Sequence, residues 1–248
     1  MVMVIKSNVA GASISKPDGW NPPFSTEGLQ YANIFGRGNL TVNLAPGGSP
    51  AVAYGNPTQN GEAFEFSTGN YLDTRVPTNE KATLISIANN TDSTQTSRCF
   101  LISSYKGSAD AGKSLCTQGP TPSALYMYSH YKGTGADGNP YNGAYSLGMS
   151  TRSTDRSPAF FHGRDLGNGL KIGDLTNNQV KSVSPGAPVT SFVNPALTYL
   201  IGQSRVEGSA KHRQYAAMIF DRVLSDDELM QVYLYFQGYY SRRGASIL

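Results

Sequence analysis

Turn-forming dipeptides interrupt this chain so often that no helix of ordinary length fits before residue 225. Gly-Asn, Asn-Gly, Asp-Gly and Pro-Gly pairs recur along it, and each favours a tight reversal. Between them lie short segments suited to strands: residues 40–44, 51–54, 63–66, 71–74, 82–88 and 98–105. The series continues at 124–129, 144–149, 159–162, 180–183, 190–193, 197–202 and 215–220. Strands at such spacing predict a sandwich or barrel. Residues 83–88 and 216–220 are nearly all apolar, the pattern of central strands covered on both faces. No fixed period repeats, which disfavours a propeller or β-helix.

One helix stands out at the end. Ser225 occupies an N-cap position and Glu228 completes a capping box, while Asp226 and Asp227 suit the positive end of the helix dipole. Leu229, Val232, Tyr233, Phe236 and Tyr240 form one apolar stripe, and Gly244 follows Arg242 and Arg243 as a stop.

Composition narrows the partners. Charged residues make up 15% of the 248, against roughly 25% in ordinary domains. The net charge of +3 is small and its basic residues are scattered, so nucleic acid is not an expected partner. Apolar runs of a few residues do not span a membrane as helices. The apolar stretch of Met1–Lys6 is too short for a secretion signal, so synthesis and assembly in a cytoplasm are expected. The two cysteines, Cys99 and Cys116, allow at most one bridge, and two reduced thiols are the simpler reading. Residues 1–38, rich in Pro and Gly and holding the only Trp, Trp20, read as an extended N-terminal arm, either a strand or strap packed on the domain or a docking segment for a partner. Residues 39–248 form the domain.

Several segments resemble laminin-G-like domains of the concanavalin A-like lectin and glucanase superfamily. They are Leu200-Ile-Gly-Gln203, then Tyr215-Ala-Ala-Met-Ile-Phe-Asp-Arg222, then Val223-Leu-Ser-Asp-Asp-Glu-Leu229. Upstream, Phe66-Ser-Thr-Gly-Asn-Tyr-Leu-Asp-Thr74 and Ala82-Thr-Leu-Ile-Ser-Ile87 are similar to the early strands of that family. The resemblance frames residues 50 to 243. It implies an all-β, concanavalin A-like jelly-roll sandwich of two antiparallel sheets with one C-terminal amphipathic helix. The family mostly supplies binding modules, and some members cut polysaccharides or bind calcium at a rim.

The chemistry of cleavage is not visible. Family glucanases carry Glu-x-Asp-x-Glu along one strand, facing a groove. Here Glu62 and Glu65 are three apart and point to opposite faces of a strand. His130, His162 and His212 are scattered. Gly107-Ser-Ala-Asp-Ala-Gly-Lys-Ser114 spells a P-loop, yet Gly119, Pro120 and Pro122 forbid the helix that motif needs. Gly133-Thr-Gly-Ala-Asp-Gly138 runs into Asn139-Pro140, which is turn chemistry rather than a dinucleotide site.

That last region suits sugars. Tyr126, Tyr128, His130 and Tyr131 lead into Asp137, Asn139, Tyr141, Asn142 and Tyr145. Aromatic rings stack on the apolar face of a sugar, and planar amides or carboxylates bond its hydroxyls. The expected ligand-binding residues are therefore Tyr128, His130, Tyr131, Asp137, Asn139, Tyr141, Asn142 and Tyr145. Asp137 and Asn139 could supply oxygens to calcium but are fewer than its usual 6–8 ligands, so no cofactor is assigned and calcium stays open. The expected function is a non-catalytic module for a surface glycan. The low charge and the Gly/Ser/Asn/Tyr-rich sequence also resemble phage virion proteins of fibre, tail or head. A homo-oligomer contacting other virion proteins through the arm follows from that resemblance. A purely structural virion protein is the first alternative, and a polysaccharide hydrolase the second.

Overall fold

The computed structural model describes residues 20–37, 39–90, 97–118, 124–151, 157–186, 188–244 and 247. In chain order the strands are β1 (Leu29–Ile34), β2 (Val52–Tyr54), β3 (Thr58–Asn60), β4 (Ala63–Phe66), β5 (Tyr71–Pro77), β6 (Ala82–Asn90), β7 (Arg98–Ser103) and β8 (Lys113–Gln118). They continue as β9 (Ala124–Thr134), β10 (Pro140–Ser150), β11 (Ala159–Asp165), β12 (Leu170–Asp174), β13 (Gln179–Val183), β14 (Val189–Ser191), β15 (Thr198–Ile201) and β16 (His212–Phe220), before helix α1 (Asp226–Ser241).

Two antiparallel sheets result. The first runs β13-β12-β11-β6-β16, and the far edge of β16 is shared. Its residues 212–214 pair with β4, which carries β3, and its residues 216–220 pair with β1. The second runs β10-β9-β8-β7-β15-β5-β2, with β14 added to one end of β9. This is the all-β sandwich with one closing helix that the sequence predicts. The apolar runs in β6 and β16 do lie at the centre of a sheet, with β6 buried along its whole length.

Alternate side chains meet between the sheets, including Leu72, Leu101, Leu115, Met127, Phe161 and Ile219. A second apolar layer covers the outer face of the first sheet. There Ile85, Ile87, Phe160, Met218 and Phe220 receive Leu229, Val232, Tyr233, Phe236 and Tyr240 from α1. The predicted cap is present: Glu228 N–H donates to Ser225 Oγ at 3.1 Å, and Ser225 N–H donates to Glu228 Oε2 at 2.8 Å. Arg222 and the Ser225 backbone hold the Glu228 carboxyl down to about 2.

Two expectations change. Residues 40–44 are not a strand, because Asn43 Oδ1 takes the N–H groups of Ala32 and Ala45 and turns the chain. The domain does not begin at residue 39, because residues 20–37 take the packed strand-and-strap form, supplying β1 and part of the second apolar layer. Trp20 is 7% exposed, its Nε1–H donates to Tyr235 Oη at 2.9 Å, and Phe24 packs edge-on against the Tyr235 ring. Residues 1–19 lie outside the described residues.

Candidate functional site

Two sheets have four faces. The two inner faces share the core, and α1 with Trp20 and Phe24 seals the outer face of the first sheet. The outer face of the second sheet is the one on which large polar side chains stand half-open to water. Directly paired residues of an antiparallel ladder share a face, so the register places each group. Tyr126 pairs with Gly148, Tyr128 with Ser146, His130 with Ala144 and Lys132 with Asn142. β8 adds Ser114 and Cys116, and β7 adds Arg98 and Phe100.

Tyr126 and Tyr128 form a platform, with centroids 5.9 Å apart and planes 23° from parallel. The Arg98 guanidinium lies 5.2 Å from the Tyr128 ring centre, a cation–π distance. Arg98 is steadied by Glu207 at 3.2 Å and Gln118 at 3.4 Å. Burial pushes the Tyr128 phenol up to about 12, so its hydroxyl keeps its proton for donation at neutral pH. Beside them a cleft of about 100 Å³ opens between Arg98, Phe100, Tyr105, Ala111, Ser114, Tyr128 and Ala144. A water's share of liquid is about 30 Å³, so this cleft takes an edge of a sugar ring while the rest lies across the tyrosines.

The register divides the sequence-predicted residues. Tyr128, His130 and Asn142 share the outer face. The buried His130 ring accepts the Ala111 N–H on Nδ1 at 3.0 Å, which makes Nε2–H the donor to Asn142 Oδ1 at 2.8 Å. The exposed Asn142 amide NH₂ is then the group left for a ligand. Asp137 and Asn139 sit at the tip of the β9–β10 hairpin and satisfy each other, with Asn139 N and Nδ2 donating to the carboxylate at 3.0 and 2.9 Å. Tyr141 and Tyr145 face inward at the rim. They line a second cleft of about 140 Å³ with Gly135, Ala136, Pro185 and Val189. Tyr131 leaves the candidate set: it is fully buried and its hydroxyl donates to Asp165 and to the Gly169 carbonyl. An odd step along β9 turns it to the core while Tyr128 and His130 face out.

Arg98, Tyr105 and Ser114 are missing from the sequence prediction. Arg98 and Ser114 come from another strand pair that only sheet register links to Tyr128, and Tyr105 from the turn that follows β7.

The other motifs resolve by position. Residues 107–114 form a 3₁₀ turn at Ser108–Asp110 and the start of β8, with Lys113 turned into the interior. The Gly133–Gly138 string is the hairpin turn, closed by Gly135 N–H on the Asn139 carbonyl at 2.7 Å. Glu65 is paired with Lys211 and Arg213. Among the described residues no Asp or Glu lines either cleft, the nearby Glu207 being held by Arg98. Both cysteines are buried and neither is in a disulfide, Cys99 facing the core and Cys116 the outer face.

No family model and no curated protein matches the chain. Solved structures do. The receptor-binding domain of botulinum neurotoxin D aligns with TM-score 0.55 and 13% identity, over 84% of this chain and 53% of that one. The fold is a jelly roll shared with toxin binding domains. The botulinum neurotoxin DC binding domain in complex with SialylT aligns with TM-score 0.57 and 11% identity, over 86% and 53%. The serotype D ligand-binding domain in complex with N-acetylneuraminic acid gives 0.54 and 13%, over 84% and 51%. The chain therefore spans about half the length of these domains.

Proposed function

We propose that this chain is a non-catalytic carbohydrate-binding domain whose ligand lies across the outer face of the second sheet. The observation that carries the reading is the Tyr126–Tyr128 platform, flanked by Arg98 on a face the fold leaves half-open, with the exposed Asn142 amide further along the same face. Stacked rings take the apolar face of a pyranose while Arg98 supplies donors to its oxygens, and the Asn142 amide is placed to meet a further residue of a longer glycan. Toxin domains of the same fold are described in complex with sialylated ligands, which supports including acidic sugars among the candidates. The non-catalytic reading rests on the sequence, in which no strand carries the Glu-x-Asp-x-Glu pattern of the glucanases.

The test is binding of the purified protein to a broad glycan array, with calcium and with a chelator. Tyr128→Ala is expected to lower affinity roughly tenfold or more, about 1.4 kcal/mol, with Tm little changed. Tyr141→Ala, at the inner rim, is expected to bind as the parent does. The reverse pattern places the ligand in the rim cleft. No binding to any glycan moves the weight to the structural alternative, a particle component using this face for protein contacts. The virion setting itself is part of the proposal, and immunogold labelling of particles from cells expressing the chain tests it.

A further inference from the structure

One buried charged pair takes no part in the proposed binding face. Lys113 opens β8 in the second sheet and Asp165 closes β11 in the first. Their side chains are 1% and 0% exposed, and ammonium meets carboxylate across the interior. Removing two charges from water is costly, and mutual attraction repays it only partly. Burial pushes the Lys113 amine below its ordinary value, with Asp165 opposing.

The surroundings of the carboxyl group are asymmetric. Oδ1 accepts from the Tyr131 hydroxyl and the Gly167 N–H, each at 2.9 Å. Oδ2 accepts from Lys113 Nζ, Ser129 Oγ and Ser191 Oγ. Five donors thus converge on a carboxylate with about four acceptor sites. Lys113 Nζ also lies 3.1 Å from the Glu80 carbonyl and contacts both serine hydroxyls, giving four partners to a group with three protons.

We infer that Lys113 and Asp165 condense into an amide that joins the two sheets covalently. A proton passes from Nζ to Oδ2, leaving a neutral amine and a neutral acid. The Nζ lone pair then attacks Cγ, and negative charge develops on Oδ1 between the Tyr131 hydroxyl and the Gly167 N–H, an oxyanion-stabilising arrangement. A second proton moves from nitrogen to Oδ2 through the serine hydroxyls, the Cγ–Oδ2 bond breaks, and water leaves. Of the three ammonium protons, two depart in that water and one stays on the amide nitrogen. No oxidant or reductant is involved. Fixed proximity in a dry interior lowers the barrier, as in other intramolecular reactions.

The product suits the site better than the ion pair does. The amide N–H faces the Glu80 carbonyl, and the amide oxygen keeps both of its donors. Ser129 and Ser191, 3.4 Å apart, retain each other, and no buried charge remains.

The test uses the full chain. Its intact mass is measured under denaturing conditions and followed by a tryptic map. The expected result is a mass lower by one water, no cleavage after Lys113, and residues 107–132 joined to residues 165–171. The full sequence mass, with residues 107–113 and 165–171 recovered as separate peptides, overturns the inference. Asp165→Ala and Lys113→Met are each expected to restore cleavage or remove the linked peptide, a readout that does not require either variant to fold.

Discussion

Gly148 has no side chain, and the ring of Tyr126 occupies the space one would fill. A Cβ there would come within 2.5 Å of Tyr126 Cε1. The ring is a half-buried side chain at the surface, and the clash falls on its atoms rather than on backbone. Gly148→Ala is therefore expected to leave Tm within a few degrees while displacing one half of the aromatic platform. Glycan binding measured by calorimetry should weaken, and undiminished binding would remove Tyr126 from the site. Nothing local in the sequence marks this glycine as different from others in the chain. The tyrosines themselves were legible as sugar-binding types. Which of them face outward was not, because a one-residue error in register exchanges the two faces of a strand. Tyr131 shows the consequence: it lies three residues from Tyr128 and one from His130, and it is a core residue.

At the scale of elements, legibility follows the strength of local signals. Helix α1 was readable because cap, acidic first turn, apolar stripe and terminal glycine all agree. The paired apolar runs that became β6 and β16 were readable for a similar reason. β1, β3, β8 and β12 were not. β8 begins with an inward lysine, which reads as surface. β1 contains the fully buried Asn33, whose Nδ2 donates to the carbonyls of Asn39 and Leu40 at 3.2 and 2.9 Å. A polar residue satisfied by a distant turn looks, in one dimension, like the turn itself. The strand assignment has a testable consequence. A chain starting at Trp20 keeps β1, Trp20 and Phe24, and circular dichroism is expected to show a folded sandwich. A chain starting at residue 36 lacks one edge strand and two aromatic anchors of the helix. It is expected to aggregate or unfold, and a stable fold would show that β1 is dispensable.

For the molecule as a whole, acid should be destabilising well before the carboxylates titrate. Burial holds His162 at about 3 and His212 at about 4, against about 6.5 in an unfolded chain. Below pH 6.5 the unfolded state binds protons that the folded state refuses, so stability falls as pH falls. With both groups contributing, the slope approaches about 2.7 kcal/mol per pH unit between roughly pH 6 and 4. Urea denaturation at pH 7, 6 and 5 checks this, and His162→Leu should remove about half of the slope. A flat profile would mean that the two rings take up protons in the folded protein. His212 has partners in the Ala210 carbonyl and Gln214, whereas neither ring nitrogen of His162 has one.

The seam at β16 also sets a timetable. Leu29 pairs with Phe220, so β1 has no strand to join until about 190 further residues have been made. At roughly 5–20 residues per second, a ribosome needs about ten to forty seconds to supply them. Throughout that interval the first strand, Trp20 and Phe24 wait without their partners from β16 and α1. Sheet closure therefore waits until β16 has been made. The nascent chain presents an apolar edge to whatever meets it at the exit tunnel, which makes its yield in a cell a matter of chaperone supply as much as of final stability.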